Sequence, residues 1–421
     1  MRLPHHAHPR SGRGRPASAA GSVSASVVAL SALGVALGVA LGGCTGAPAP
    51  MPSSPAPTPS ASPSPGPAPT ATPTADPDDD SVDPIAGLSL EERVGQLFMV
   101  GTPVDGSDPT ALQAISANHI GGVFLHSPAT GGVDATAGFV ATLTAASDPA
   151  LPPLWVSTDQ EGGEVQVLSG PGFDSIPSAL DQGSLDPATL RSDAAEWGAE
   201  LARAGVTLNL APVADIVDGA DAAAGNPPIG ALDREYGYDE ASVTAGAGAF
   251  AQGMRDAGIV PTFKHFPGLG HVTGNTDFTA GVVDDVVTAD GPDVDVYRTL
   301  LGQGDAVVMM STAVYAEIDP AVPAAFSKAA VTELLRTQLG FDGVVTTDDL
   351  SAAQQVAQWS PADRATMAID AGVDLLLVST DPSVFDEMYS AVLARAQSDP
   401  AFAAEVDAAA RRVVTAKTPS S

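Results

Sequence analysis

The chain has 421 residues, 44% of them apolar but only 5% aromatic, and its 50 acidic against 18 basic side chains leave a net charge of −32. A chain this acidic repels nucleic acid and anionic lipid surfaces, so neither is expected as a partner. Its single cysteine, Cys44, excludes an intramolecular disulfide.

Residues 2–15 carry Arg2, Arg10, Arg13 and Arg15 and no acid, and residues 17–43 carry no charge at all. A basic region followed by an apolar one predicts a secretory signal over 1–43. It ends in Leu41-Gly42-Gly43-Cys44, which resembles a bacterial lipoprotein signal, where the cysteine becomes the lipidated first residue. The alternatives are an ordinary leader or a weak membrane helix. Removing residues 1–43 takes four arginines away and moves the net charge from −32 to −36. Residues 45–75 are mostly Pro, Ala, Ser and Thr, and Asp76, Asp78, Asp79 and Asp80 follow. Such a tract buries no core, so 44–82 is expected to be an extended tether. At roughly 3 Å per residue it reaches on the order of 100 Å. The expected location is outside the cell, anchored to the outer face of its membrane by a lipidated Cys44, with no other membrane contact.

From residue 83 onward apolar runs alternate with helix-like stretches. Strands are predicted at 97–100, 122–125, 154–157, 207–210, 259–263, 306–310, 343–346 and 374–378. Helices are predicted at 109–118, 135–146, 187–204, 240–257, 293–302, 328–339, 361–371 and 383–414. Eight such alternations predict an α/β fold, a (β/α)8 TIM-type barrel forming a single catalytic domain over 83–416. A doubly wound open sheet is the alternative, though no Gly-x-Gly-x-x-Gly follows the first strand.

In a barrel the C-terminal strand ends carry the chemistry. Those ends hold His126 after the second strand, Asp159-Gln160-Glu161-Gly162-Gly163 after the third and Asp215 after the fourth. Lys264-His265, Ser311-Thr312 and Thr347-Asp348-Asp349 follow the fifth, sixth and seventh. Several rim carboxylates without a cysteine or histidine cluster point to acid/base or nucleophilic carboxylate chemistry, with no metal or cofactor needed. Asp348 should point into the mouth, while Asp349 can cap the next helix. A carboxylate nucleophile is the usual device of retaining glycosidases, which place a second acid about 5 Å away.

Three ordered segments carry a resemblance. Asp159-Gln160-Glu161-Gly162-Gly163, Lys264-His265-Phe266-Pro267-Gly268, and the run Gly340-Phe341-Asp342-Gly343-Val344-Val345-Thr346-Thr347-Asp348-Asp349-Leu350 are similar to signatures of glycoside hydrolase family 3. More narrowly they resemble its single-domain β-N-acetylglucosaminidases of cell-wall sugars. The resemblance spans residues 85–415 and implies a retaining reaction on a terminal β-linked sugar. Asp348 matches the family nucleophile. Asp159, Lys264, His265 and Arg234 match residues that grip the sugar hydroxyls, as a bidentate cation and a lysine can. Arg234 could instead form a surface ion pair with Asp233 or Glu235, and Asp215 either supports the rim or touches substrate.

One loop departs from the family pattern. About eleven residues past the lysine the family has Asp-Ser-His, the histidine acting as general acid/base. Here Asn275-Thr276-Asp277 takes those places. Asp277 can be the acid, its pKa raised by burial or by Asp348; His271 can swing in from the same loop; or the acid step is impaired. A carboxylate there would repel an anionic acceptor, so hydrolysis is expected rather than phosphorolysis. Thr312 stands where the family commonly has a rim histidine. The expected substrate is a β-linked amino-sugar oligosaccharide or muropeptide, trimmed from its non-reducing end. The alternatives are a β-glucosidase or β-xylosidase of the same family, or a surface sugar-binding lipoprotein with weakened catalysis.

Overall fold

The computed structural model describes residues 83–418. The signal segment 1–43, Cys44 and the tether 44–82 lie outside the described residues.

Eight strands, β1 (Phe98–Pro103), β2 (Gly122–His126), β3 (Trp155–Thr158), β4 (Leu208–Asn209), β5 (Val260–Phe266), β6 (Val307–Met310), β7 (Val345–Thr347) and β8 (Leu376–Val378), form one parallel sheet. Its order is β7-β6-β5-β4-β3-β2-β1-β8. A parallel bridge between Thr346 and Leu375 joins the two ends, so the sheet closes into a barrel and the open doubly wound sheet is excluded.

Alternation along each strand sorts side chains between two layers. Met99, Phe124, Trp155, Leu208, Met309 and Leu377 point inward and pack as one lumen cluster, joined by Val413. Their neighbours Phe98, Val100, Val123, Val308 and Met310 join the larger cluster under the helices. The helices that cover the barrel are α1 (Thr110–Asn118), α2 (Gly132–Ala145), α3 (Pro187–Arg203), α4 (Glu240–Asp256), α5 (Pro292–Leu300), α6 (Ala329–Gln338), α7 (Pro361–Ala371), α8 (Phe385–Ser398) and α9 (Pro400–Lys417). Their starts are chemically marked. Asp186 caps α3 ahead of Pro187, Asp239 and Ser242 form a capping box on α4, and Ser360 caps α7 ahead of Pro361.

The single helix expected over 383–414 is in fact two. Pro400 has no N–H to continue α8, and the Asp399 carboxylate accepts from Ala401 and Phe402 N–H to start α9. A further short helix, Leu90–Gln96, precedes β1 with a Ser89–Glu92 capping box. The sequence reading missed it.

Candidate active site

The mouth of the barrel holds a cavity of about 600 Å³, walled by the ends of β2, β3, β5, β7 and β8 and by the loops after β4, β5 and β7. Asp159, Arg234, Lys264, His265, Asp277 and Asp348 all line it.

The deep wall is an ion network. Lys264 Nζ lies 2.7 Å from Asp159 Oδ1 and 2.5 Å from Glu161 Oε1. Arg234 grips Glu161 with two parallel bonds, Nε to Oε2 at 2.8 Å and Nη2 to Oε1 at 2.7 Å. Its Nη1 donates to Pro228 O at 2.6 Å. Burial alone would push the Glu161 carboxyl up, but the Arg234 and Lys264 charges overcome that and hold it at about 2. Burial likewise works against the Lys264 ammonium, and Asp159 and Glu161 reverse it, so its pKa is raised. Lys264 and Arg234 therefore stay cationic in fixed positions, and Asp159, with its side chain 26% exposed, presents an acceptor to the cavity. Arg234 pairs with Glu161 in the wall of the cleft rather than with Asp233 or Glu235.

The backbone explains this placement. In the motif Glu161-Gly162-Gly163 both glycines have positive φ, 112° and 55°, and a Cβ on Gly162 would sit 2.1 Å from Pro177 O. Only glycine fits the turn that aims Glu161 at Arg234. In β5 the ladder shifts register between Lys264 and Phe266. Successive strand residues normally face opposite sides, yet here both line the cavity. Fully buried Asp215 orients the histidine. Its Oδ2 lies 2.8 Å from His265 Nδ1, and its Oδ1 accepts from His265 and Leu269 N–H. A carboxylate at Nδ1 fixes the proton there and leaves Nε2 as the ring nitrogen for substrate. Asp215 is thus a support of the rim.

At the end of β7 the two aspartates divide their roles. Asp349 is saturated: Oδ1 accepts from Ser351 N–H, Ser351 Oγ–H and Ser379 N–H, and Oδ2 from Ala352 N–H. Asp348 accepts from Asp349 N–H at 2.8 Å and is partly exposed to the cavity.

Across the mouth stands Asp277. Its carboxyl is reached by solvent along the rim but is crowded by protein, and that crowding, with the charges of Asp348 and then Asp349, pushes its pKa up to about 7. The turn that carries it is braced by the β7 loop: Gln354 N–H donates to Asp277 O, Gln355 N–H to Thr276 O, and the Gln355 amide bonds both polar groups of Val282.

His271 is not part of the cavity lining. Its Nδ1 lies 2.8 Å from Asp218 and its Nε2 3.0 Å from Asp293. Burial alone would lower its pKa, but the Asp293 and Asp218 carboxylates raise it to about 9. A ring held at both nitrogens cannot swing in, so the alternative acid/base role expected for His271 is set aside. Thr312 is fully buried with its hydroxyl unpartnered, and it does not line the cavity either.

The model of the glycosyl hydrolase family 3 N terminal domain matches residues 89–416. The chain belongs to glycosyl hydrolase family 3. It is 36% identical over 349 residues to the β-hexosaminidase LpqI of Mycobacterium tuberculosis, a match covering 79% of this chain and 84% of that one. A crystal structure of the β-N-acetylhexosaminidase of Beutenbergia cavernae superposes with a TM-score of 0.78 at 60% identity, covering 79% of this chain and all of that one. The family 3 β-N-acetylglucosaminidase of a Paenibacillus species superposes with a TM-score of 0.71 at 29% identity, over 78% of this chain and 62% of that one. For this family 3 barrel, sequence reasoning overlooked Glu161 and Gln355. Glu161 stood inside its own motif, but its cations Arg234 and Lys264 lie far along the chain, so only the fold shows its role. Gln355 left no sequence signal.

Proposed function

We propose that this family 3 enzyme is a retaining exo-β-N-acetylglucosaminidase, with Asp348 as nucleophile and Asp277 as general acid/base. Asp159, Arg234, Lys264 and His265 hold the hydroxyls of the terminal sugar. Asp277 protonates the glycosidic oxygen as Asp348 attacks the anomeric carbon, and the same carboxylate then takes a proton from water to release the glycosyl-enzyme. The observation that carries this reading is the carboxyl pair in one cleft: a partly exposed Asp348 opposite an Asp277 held near neutrality by its surroundings. A carboxyl that keeps its proton near neutral pH beside a second carboxylate is the arrangement that a general acid needs.

The acidic cleft favours the positive charge of an oxocarbenium-like transition state and repels an anionic acceptor, so water is the acceptor and added phosphate leaves the rate unchanged. The acetamido sugar is supported by the names of the relatives, and the source of the substrate, cell-wall or chitin-type fragments, by the predicted export and the anchor at Cys44. The test uses residues 83–421 with nitrophenyl β-N-acetylglucosaminide and nitrophenyl β-glucoside. Turnover of the acetamido sugar should vanish in Asp348→Ala, while Asp277→Ala should keep most of its kcat/KM on this good leaving group but lose kcat, because the base that activates water is gone. Preference for the glucoside would replace the sugar assignment, and binding without turnover would make the protein a lectin-like receptor.

A further inference from the structure

Phe278 stands directly after the acid, on the rim of the cleft, with 80% of its surface in water. The other exposed large apolar residues among those described, Leu112, Leu185, Val283 and Val286, reach only 36% to 52%. A benzyl side chain left in water forfeits the burial that holds most phenylalanines of this chain in its core, so its position calls for a ligand or for mobility.

The turn beneath it argues for a ligand. Phe278 N–H donates to Asn275 O at 3.1 Å, and Asp277 N–H donates to Asn275 Oδ1 at 2.8 Å. On its other side the turn is tied to the nucleophile loop by Gln354 N–H to Asp277 O at 3.1 Å and Gln355 N–H to Thr276 O at 3.0 Å. The ring is therefore carried on a backbone fixed from both sides.

Its place relative to the chemistry follows from its neighbour. The groups that grip the terminal sugar, Asp159, Lys264 and Arg234, form the deep wall. An acid that protonates the glycosidic oxygen must lie on the leaving-group side of the scissile bond. The residue next to it, farther out on the rim, meets whatever is attached to that oxygen. A pyranose presents a C–H-rich face suited to an aromatic ring, and ring contacts of this kind add to simple area burial.

We infer that Phe278 forms the subsite for the leaving-group sugar, a platform against which the pyranose linked to the terminal residue stacks. This rests on the glycosidase reading above, and it makes the enzyme selective for saccharide aglycones over simple alkyl ones.

The test compares di-N-acetylchitobiose with methyl β-N-acetylglucosaminide. Both release an alkoxide that needs the proton of Asp277, but only the first carries a ring for Phe278 to hold. In Phe278→Ala the ratio of kcat/KM for the disaccharide over the methyl glycoside should fall about tenfold, and Phe278→Trp should restore it. An unchanged ratio, whether both substrates slow together or neither does, overturns the platform and leaves the glycosidase reading intact. A wild-type enzyme that cleaves neither substrate overturns both.

Discussion

Among the described residues two carboxyls, Asp277 and Glu235, are pushed up to about 7, and their places in the fold tell them apart. Asp277 is pushed to about 7 by its crowded position and by Asp348, and Glu235 is pushed to about 7 by burial, with neither carboxyl oxygen hydrogen-bonded. Only Asp277 lines the cleft. A general acid must carry its proton to donate it, so its working fraction falls as pH rises through its pKa. Activity on di-N-acetylchitobiose should therefore decline above about pH 7. Asp277→Asn should abolish that limb and lower kcat/KM by about 10²–10⁴-fold, whereas Glu235→Gln should leave the limb in place. A limb that survives in Asp277→Asn and disappears in Glu235→Gln would move the titration to the loop behind Arg234. At this scale the sequence was legible where a motif names the residue: Asp159, Lys264, His265 and Asp348 all stand at strand ends of one cavity. It was ambiguous for Asp215, Arg234 and His271, whose roles depend on partners 50, 73 and 53 residues away or less in the chain.

The elements show where reading stops. All eight strands were visible as apolar runs, because a parallel barrel buries both faces of each strand. The helix starts were visible in Ser, Asp and Pro. The excursions between them were not. Short strands at Gln160–Gly162 and Val165–Gln166, and the three-stranded patch of Val283–Asp284, Val314–Tyr315 and Asp319–Pro323, are too short to show a period. Yet the segment that leads into this patch carries Asp277, and a buried side chain helps to hold it. Gln355 is 4% exposed, and its amide accepts from Val282 N–H at 2.8 Å and donates to Val282 O at 2.9 Å. In Gln355→Ala the N–H of buried Val282 loses its partner, while Val282 O keeps the Val314 N–H at 3.1 Å, at a cost of about 1–3 kcal/mol. The melting temperature should drop accordingly. Because the freed segment carries Asp277, kcat/KM should fall about tenfold more on di-N-acetylchitobiose than on the nitrophenyl glycoside, which needs little protonation. Equal losses on both would mean that the brace serves the Asp348 loop instead.

At the scale of the whole molecule the barrel has two unlike ends, a charged mouth that works and a floor that is closed by α9. Val413 enters the lumen cluster, and one turn later Lys417 is buried beneath it. Lys417 Nζ donates to Gln96 Oε1 at 2.7 Å, just before β1, and lies 5.7 Å from the Trp155 ring centroid at the start of β3. No carboxylate pairs with it among the described residues, and burial lowers its pKa to about 7. Because the folded value lies below the roughly 10.4 of an unfolded lysine, the native state binds this proton more weakly than the unfolded chain. The cost to stability is therefore complete below about pH 7 and fades as pH rises toward 10.4, where the unfolded lysine also becomes neutral. Lys417→Met keeps the length and apolar stem while removing the charge. It should raise stability by about 1–3 kcal/mol at pH 6, after allowance for the lost bond to Gln96. The gain should vanish near pH 10. Thermal melts of both proteins at the two pH values measure this directly. If Lys417→Met is destabilising at both, the amide bond and the aromatic ring outweigh the burial of the ammonium, and the floor of the barrel is held by its cation.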